Sequence, residues 1–440
     1  MLKRVSSIIT FISFFITFIT FADVVEISSW AELAAINSAL DGDYVLVNDL
    51  SSETEGYDDY AGSSANDGAG WLPIGNANNP FLGSFDGQGY SISDIYINRS
   101  SNFIGLFGQI YKWALEDKTS IKNLCVLNMN VTITGAYSCI GILCGEMETN
   151  VSGEEIPIEN VEVSGVIYGD GIRFTGGIAG SAEYVNFQKC KSNTTITTGS
   201  SKDCIGGFVG VVFKSTFRNC YASGSVSGGS RIGGFLGRAG DDCFYNCYSS
   251  TSVSGSGSYV GGFAGSTYGK DIVKEVYWDT EASGQTSSAI GVGKTTAQMK
   301  DIDTYPLLEE QNWSGTVNAW IDWENFKFYV DWASGDKFDG LQVNDTIQVY
   351  DGYHWITCTI LTYVSNERLE IDQWIGGTGL SYTALKSNYG WNIVLKQNHD
   401  GQEDTAVWFI DDGSDYPRLW YEWTGGGTER KKQLNIIFLN

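Results

Sequence analysis

A chain of 440 residues that is 42% hydrophobic and 14% aromatic can bury a large core, which excludes a disordered polymer. Its 52 acidic against 27 basic residues leave a net charge of −25, a surface that repels phosphate backbones and anionic membranes and excludes a nucleic-acid partner. Gly supplies 54 residues, above the usual share of ~7%, and Pro only 5, the balance of many tight turns between short strands.

Residues 1–22 read as a signal peptide. Lys3 and Arg4 precede an uncharged stretch from Val5 to Phe21, and Thr20 and Ala22 stand before the expected cleavage point. The competing reading is an uncleaved anchor, but hydroxyl residues interrupt the stretch. Cleavage is expected, leaving no integral membrane span. Further on, Glu53 to Asp67 gathers Glu55, Asp58 and Asp59 among Gly and Ser without an EF-hand pattern, so a solvated acidic loop is expected rather than a calcium site.

From residue 105 a glycine cassette recurs six times: Gly105–Gly108, Gly141–Gly145, Gly176–Gly180, Gly206–Gly210, Gly233–Gly237 and Gly261–Gly265. Successive closing glycines are 37, 35, 30, 27 and 28 residues apart. A second cassette follows about ten residues later, at Lys122–Cys125, Glu159–Val161, Gln188–Cys190, Arg218–Tyr221, Tyr245–Tyr248 and Glu275–Tyr277. A third ends the units at Val163–Gly165, Val226–Gly228 and Val253–Gly255. Short alternating pieces such as Thr194–Thr198 suit strands. A unit of this length cannot bury its own inner face, whereas stacked units share a continuous core. Phe208, Phe235 and Phe263 are expected in one interior column continued by Ile178 and Leu143. Of nine cysteines, Cys190, Cys220 and Cys247 recur near the repeat length and are expected as a column of buried thiols.

These cassettes resemble the GLUG motif of bacterial surface and secreted proteins, often found beside filamentous-haemagglutinin-like β-helices. Trp71–Gly75, Phe81–Gly89 and Ile92–Asn98 are similar to that family's opening coil. Val276–Gln285, Thr295–Lys300, Trp408–Gly413 and Tyr416–Trp420 are similar to its closing segment. The resemblance implies an all-β fold, a right-handed parallel β-helix (β-solenoid), in a surface or secreted setting. It implies no catalytic residue.

One departure from the pattern is a stretch of about 82 residues, 305 to 386, that interrupts the closing segment. Asp345 to Tyr350 and Trp355 to Leu361 flank Asp351-Gly352, a hairpin signal. Another strand is expected around Leu369 to Ile371, giving a small antiparallel β insertion near the C-terminus, on the end of the solenoid. The expected organisation is therefore a signal peptide (1–22), a GLUG-repeat β-helix with an N-terminal cap (23–304), an inserted small β domain (305–386), a closing segment (387–423) and a tail (424–440).

The catalytic chemistry sought in the sequence is mostly missing. There is no HExxH, no G-x-S-x-G, and Gly291–Thr295 lacks the full phosphate-loop spacing. His354 stands beside a turn. A paired acid and base on a β-helix would need carboxylates at equivalent positions of neighbouring coils, where the repeats suggest Ser, Thr, Gly and Asn. Lys189, Arg218, Arg231 and Lys274 look scattered. No catalytic residue, metal or cofactor is expected. Ten of the 14 tryptophans lie between 305 and 423. Aromatic rings stack on the apolar faces of sugars while nearby carboxylates bond hydroxyls. Tyr353, Trp355, Trp374, Trp320, Trp323 and Asp351 are thus the candidate ligand contacts of an exported, adhesin-like binding protein, secreted or on the cell surface, for a glycan or surface ligand. The alternatives are a glycan-active lyase or hydrolase on the same scaffold, or a structural spacer of the envelope or extracellular matrix.

Overall fold

The structure, a computed structural model, describes residues 24–137, 139–199, 204–255, 257–305, 312–322, 327–335, 346–350, 355–365, 368–371, 377–385, 393–395, 408–410 and 415–419. The expected signal peptide lies outside these residues. Among them no helix is long and apolar enough to cross a membrane.

One repeat shows how each coil is made. Cys204–Gly206 lies in a four-stranded sheet, and a Gly206-Gly207 corner leads into Val209–Phe213 of a six-stranded sheet. Thr216–Arg218 and Tyr221–Gly228 then join a fifteen-stranded sheet that bends between them. The next unit repeats the path one rung higher. Phe174, Cys204, Arg231 and Tyr259 are parallel partners in succession, as are Ala179, Val209, Leu236 and Ala264. The fold is all-β with parallel sheets, and its in-register stacking is consistent with a β-helix.

Inside the stack, like residues meet like. Phe208, Phe235 and Phe263 are fully buried and stack at 4.4 and 4.5 Å between ring centroids. Ile178 donates its N–H to the Phe208 carbonyl, and Leu143 to that of Ile178, so both continue the column as expected. A second column, Phe187, Phe217 and Phe244, stacks at 4.9 Å per step and meets the first edge to face, as in the 5.9 Å contact of Phe208 with Phe217. Full burial of each ring is worth roughly 1.5–3 kcal/mol. Cys190, Cys220 and Cys247 are free, wholly buried thiols at equivalent rungs. Burial and the neighbouring thiols push the Cys220 pKa well up, which keeps it a packing group.

The bend of the long sheet has its own chemistry. Asn123, Asn160, Asn219 and Asn246 hold φ between 52° and 55°, the left-handed region that Asn tolerates better than most residues. Asn160 donates its side-chain amide to Asn123 at 3.0 Å, Asn123 to Asp86 at 3.0 Å, and Asn246 to Asn219 at 3.2 Å. Lys189 and Glu275 occupy the same corner in other coils. The paired glycines answer a different constraint. A Cβ at Gly262 would lie 1.9 Å from the Trp278 ring, which fills the interior there.

At the other end, the helix Trp30–Ala35 is capped by Ser29 and buries Trp30 and Leu33. The Trp30 ring meets buried Trp71 edge to face at 6.0 Å. This helix covers the core beside Val25–Ile27, the edge strand of the long sheet.

Beyond Tyr305, Asn312–Asp322, Lys327–Gly335, Thr346–Tyr350, Trp355–Ser365, Arg368–Ile371 and Gly377–Leu385 close into an antiparallel barrel. The expected hairpin is there, with Tyr350 opposite Trp355. Ile393–Leu395, Trp408–Ile410 and Arg418–Leu419 form a small sheet. Its last two strands pack on the side of the solenoid. Tyr221, Tyr248 and Tyr277 form an outward column at consecutive rungs, and Trp408 lies against the first two at 6.0 and 5.9 Å. Trp408 also donates Nε1–H to Asn219 at 3.0 Å, and Tyr248 donates its hydroxyl to the Pro417 carbonyl at 2.6 Å. The closing strands therefore cover the flank. Strand alternation points these tyrosines outward, away from the cysteines, and so creates a second apolar cluster with Met299, Tyr305 and Leu419.

Candidate functional site

Of the expected ligand contacts, Trp320 lies in the strand Asn312–Asp322 and Trp355 begins the strand Trp355–Ser365, but their side chains are outside the described residues. Trp323, Asp351, Tyr353 and Trp374 are outside them altogether. The carboxylates of Glu53, Glu55, Asp58, Asp59 and Asp67 are exposed, as a solvated loop requires.

The six-stranded sheet presents a different surface. Ile110, Met147, Ala182 and Val212 are register partners that point into the core. Alternation turns the residues on either side outward. One outward column runs Gln109, Glu146, Ser181, Val211, Arg238 and Ser266. The other runs Tyr111, Glu148, Glu183 and Phe213, then continues past Gly240 to Tyr268. A Cβ at Gly240 would lie 2.9 Å from the Phe213 ring, and its absence lets Phe213 and Tyr268 meet edge to face at 6.4 Å. The Arg238 guanidinium lies 5.7 Å from the Phe213 centroid and 5.2 Å from that of Tyr268. At the opposite end Tyr111 and Trp113 pair at 4.2 Å, with Trp113 54% exposed.

The result is a stripe with aromatic rings at both ends and carboxylates between. With about 4.8 Å per coil, Tyr111 and Phe213 stand ~14 Å apart. Gln109 donates its amide to Glu146 at 2.7 Å. Burial raises the Glu146 carboxyl above its ordinary range, against the lowering effect of that bond. Burial also raises Glu148, helped by the charges of Glu146 and Glu183. Burial, then Glu148, Glu183 and Glu146, raise the Tyr111 phenol. Three carboxylates thus share one field. None makes an ion pair among the described residues, since Lys112 bonds Glu154 at 2.9 Å and Lys214 bonds the Tyr184 hydroxyl at 2.7 Å.

Two sequence expectations are corrected here. Glu148 and Glu183 are register partners on neighbouring coils, so the repeats do place two carboxylates at equivalent positions. Arg218 and Lys274 are not scattered. They share one outward column of the long sheet, Asp86, Lys122, Glu159, Gln188, Arg218, Tyr245 and Lys274, with Arg218 over the Tyr245 ring at 4.0 Å. The stripe has a sequence signal of its own, which differs from the repeated residue types of the cassettes. Tyr111, Glu148, Glu183, Phe213, Gly240 and Tyr268 each stand three residues after the closing glycine of a cassette.

Residues 203–227 match the family described as the GLUG motif. The chain is 40% identical over 79 residues to a protein of Evansella cellulosilytica described as a candidate Gly-rich membrane protein, which covers 18% of this chain and 9% of that one. It is 30% identical over 180 residues to halomucin of Haloquadratum walsbyi, covering 39% of this chain and 2% of that one. The chain therefore spans less than a tenth of the length of either relative. A solved structure from Bacteroides ovatus, described as a candidate immunoglobulin A1 protease, superposes with a TM-score of 0.47 at 20% identity, over 63% of this chain and 85% of that one.

Proposed function

We propose that this GLUG-containing repeat protein is a surface-associated or secreted, adhesin-like binding protein that holds an extended glycan along the stripe. The names of its two relatives, a Gly-rich membrane protein and halomucin, support a setting at the cell surface. A right-handed winding goes with this reading, because crossovers between parallel strands are right-handed in ≈98% of cases. The observation that carries the reading is the column with exposed Trp113 and Tyr268 at its ends and Glu148 and Glu183 between them. Sugars offer apolar faces to rings and hydroxyls to carboxylates, and an extended polymer offers both at every step. The aromatic segment containing Trp320, Trp323, Asp351, Tyr353, Trp355 and Trp374 is a second proposed contact. The test is a glycan array with the whole protein. Trp113→Ala and Tyr268→Ala are expected to weaken binding to the captured polysaccharides without lowering Tm. Binding to no glycan, or binding indifferent to both variants, would overturn the reading.

A second reading is favoured by Glu148 and Glu183. Their backbones stand one coil apart, ~4.8 Å, near the ~5–5.5 Å between the carboxyl groups of retaining glycosidases. A raised Glu148 suits a general acid. This reading requires turnover: release of reducing ends from a polysaccharide, abolished by Glu148→Gln and by Glu183→Gln.

A further inference from the structure

We propose that the stripe selects glycans bearing protonated amino groups, with an ammonium held among Glu146, Glu148 and Glu183 and the adjoining sugar ring lying on Tyr111 and Trp113. This rests on the reading of the stripe as a glycan site and adds the class of glycan.

Charge complementarity carries the argument. Two adjacent coils present three outward carboxylates, Glu148 directly opposite Glu183 and Glu146 two residues before Glu148 on the same strand face. All three are partly shielded from water. Among the described residues no Lys or Arg forms an ion pair with them, and the one basic charge felt at Glu183, that of Lys214, is hydrogen-bonded to the Tyr184 hydroxyl instead. The hydrogen bonds to Glu146 come from neutral groups, the Gln109 amide and the Cys139 thiol. Glu146 and Glu183 disfavour ionisation of Glu148, and Glu183 that of Glu146, so a cation entering from solvent relieves repulsion within the cluster. A neutral sugar brings no such relief. The chain's net charge of −25 adds attraction at longer range.

The aromatic pair narrows the occupant from cations in general to amino sugars. Trp113 is exposed and packs on Tyr111, which is itself the register partner of Glu148. A ring platform and a carboxylate pair therefore occupy successive rungs. A polymer that carries an ammonium on each sugar can lay one ring on the platform while the next places its charge among the acids. At the other end Arg238, Phe213 and Tyr268 present a cation and two rings. The guanidinium repels ammonium groups, so attraction of such a polymer is confined to the acidic rungs.

The experiment titrates the full protein with glucosamine oligomers and with N-acetylglucosamine oligomers of equal length, at physiological salt, with poly-lysine as a third probe. Acetylation removes the charge and keeps the ring. The glucosamine oligomers are expected to bind about tenfold tighter, the sum of a few partly shielded ion pairs. Glu148→Gln with Glu183→Gln should erase that preference, while Trp113→Ala should weaken both sugars. Thermal melts of each variant check that the fold is kept, and Glu146→Gln serves as the replacement if the double variant unfolds. Equal affinity for both sugars, still sensitive to Trp113→Ala, overturns the selectivity and leaves the glycan reading standing. Poly-lysine binding as tightly as glucosamine oligomers, indifferent to Trp113→Ala, overturns the proposal in favour of a cationic peptide. Binding of none of the probes overturns it as well, and the array then decides whether any glycan is bound.

Discussion

Phe208 and Phe235 lie face to face one coil apart, their ring centroids 4.4 Å from each other and their planes 8° from parallel. Such parallel stacking is less common in globular cores than offset or edge-to-face contacts. Here the spacing of the coils imposes it, and the edge-to-face contacts are supplied by the second phenylalanine column. Phe235→Asp places a charge with no partner among these rings and is expected to prevent folding. Phe235→Ala should cost roughly 3–5 kcal/mol. Thermal unfolding followed by circular dichroism measures both, and a native melt for the Asp variant would remove Phe235 from the interior.

Asp242 gives the stability a pH dependence of unusual sign. It is wholly buried at a coil corner, where its carboxyl accepts N–H bonds from Ser215 at 2.8 Å and Gly240 at 2.6 Å. Burial pushes its pKa up to about 8, assisted by Asp271 and Asp241 and opposed by the two N–H donors. The folded chain therefore keeps a proton that the unfolded chain gives up near the ordinary Asp value of ~3.9. The stabilisation is complete below that value and is lost as pH rises through about 8. Tm should fall between pH 5 and pH 8.5, by an amount corresponding to at most about 5 kcal/mol. Asp242→Asn should flatten that slope. An unchanged slope in the Asn variant would assign it to other groups.

Trp408 tests the flank. Replacing it with Ala removes its packing on Tyr221 and Tyr248 and its bond to Asn219, a loss on the order of 3–5 kcal/mol. Because each coil depends chiefly on its neighbours, the loss should be local. Amide exchange is expected to rise at Tyr221 and Tyr248 while exchange in Leu236–Ala239 stays slow. Uniform acceleration across the coils would mean that the closing strands hold up the whole solenoid.

Trp355 begins its strand opposite Tyr350, and Tyr353 precedes it by two residues in the sequence. If they contact ligand, replacing both with Ala should leave Tm nearly unchanged and reduce binding of the whole protein to glycan or host surface by about tenfold or more. Loss of folding, or undiminished binding, would make this region a structural element only.

The interior was legible in the sequence where a residue type recurred at a fixed place in its cassette, as Phe208, Phe235 and Phe263 do. The second column is equally regular, with Phe187, Phe217 and Phe244 each three residues before a cysteine. The stripe was harder because its residues differ in kind from coil to coil. A search for repeated residues passes over a column that reads Tyr, Glu, Glu, Phe, Gly, Tyr. Early units of 37 and 35 residues against later ones of 27 to 30 also hide which positions face each other. The flank was illegible for another reason. Trp408 meets Asn219 across 189 residues of sequence, and no local pattern encodes that contact.

The grip of the closing strands on Tyr221 and Tyr248 has a mechanical consequence. A pull on the chain beyond Leu419 reaches the solenoid through Trp408, Pro417 and Tyr416, which hold Asn219, Tyr248 and Asp279 on three successive coils. The load is then shared across these rungs in shear. Were the chain to leave directly from its last coil, the same force would unzip the stack one rung at a time, breaking few bonds at each step. Shear demands that many break together, so a molecule pulled through this end resists unwinding.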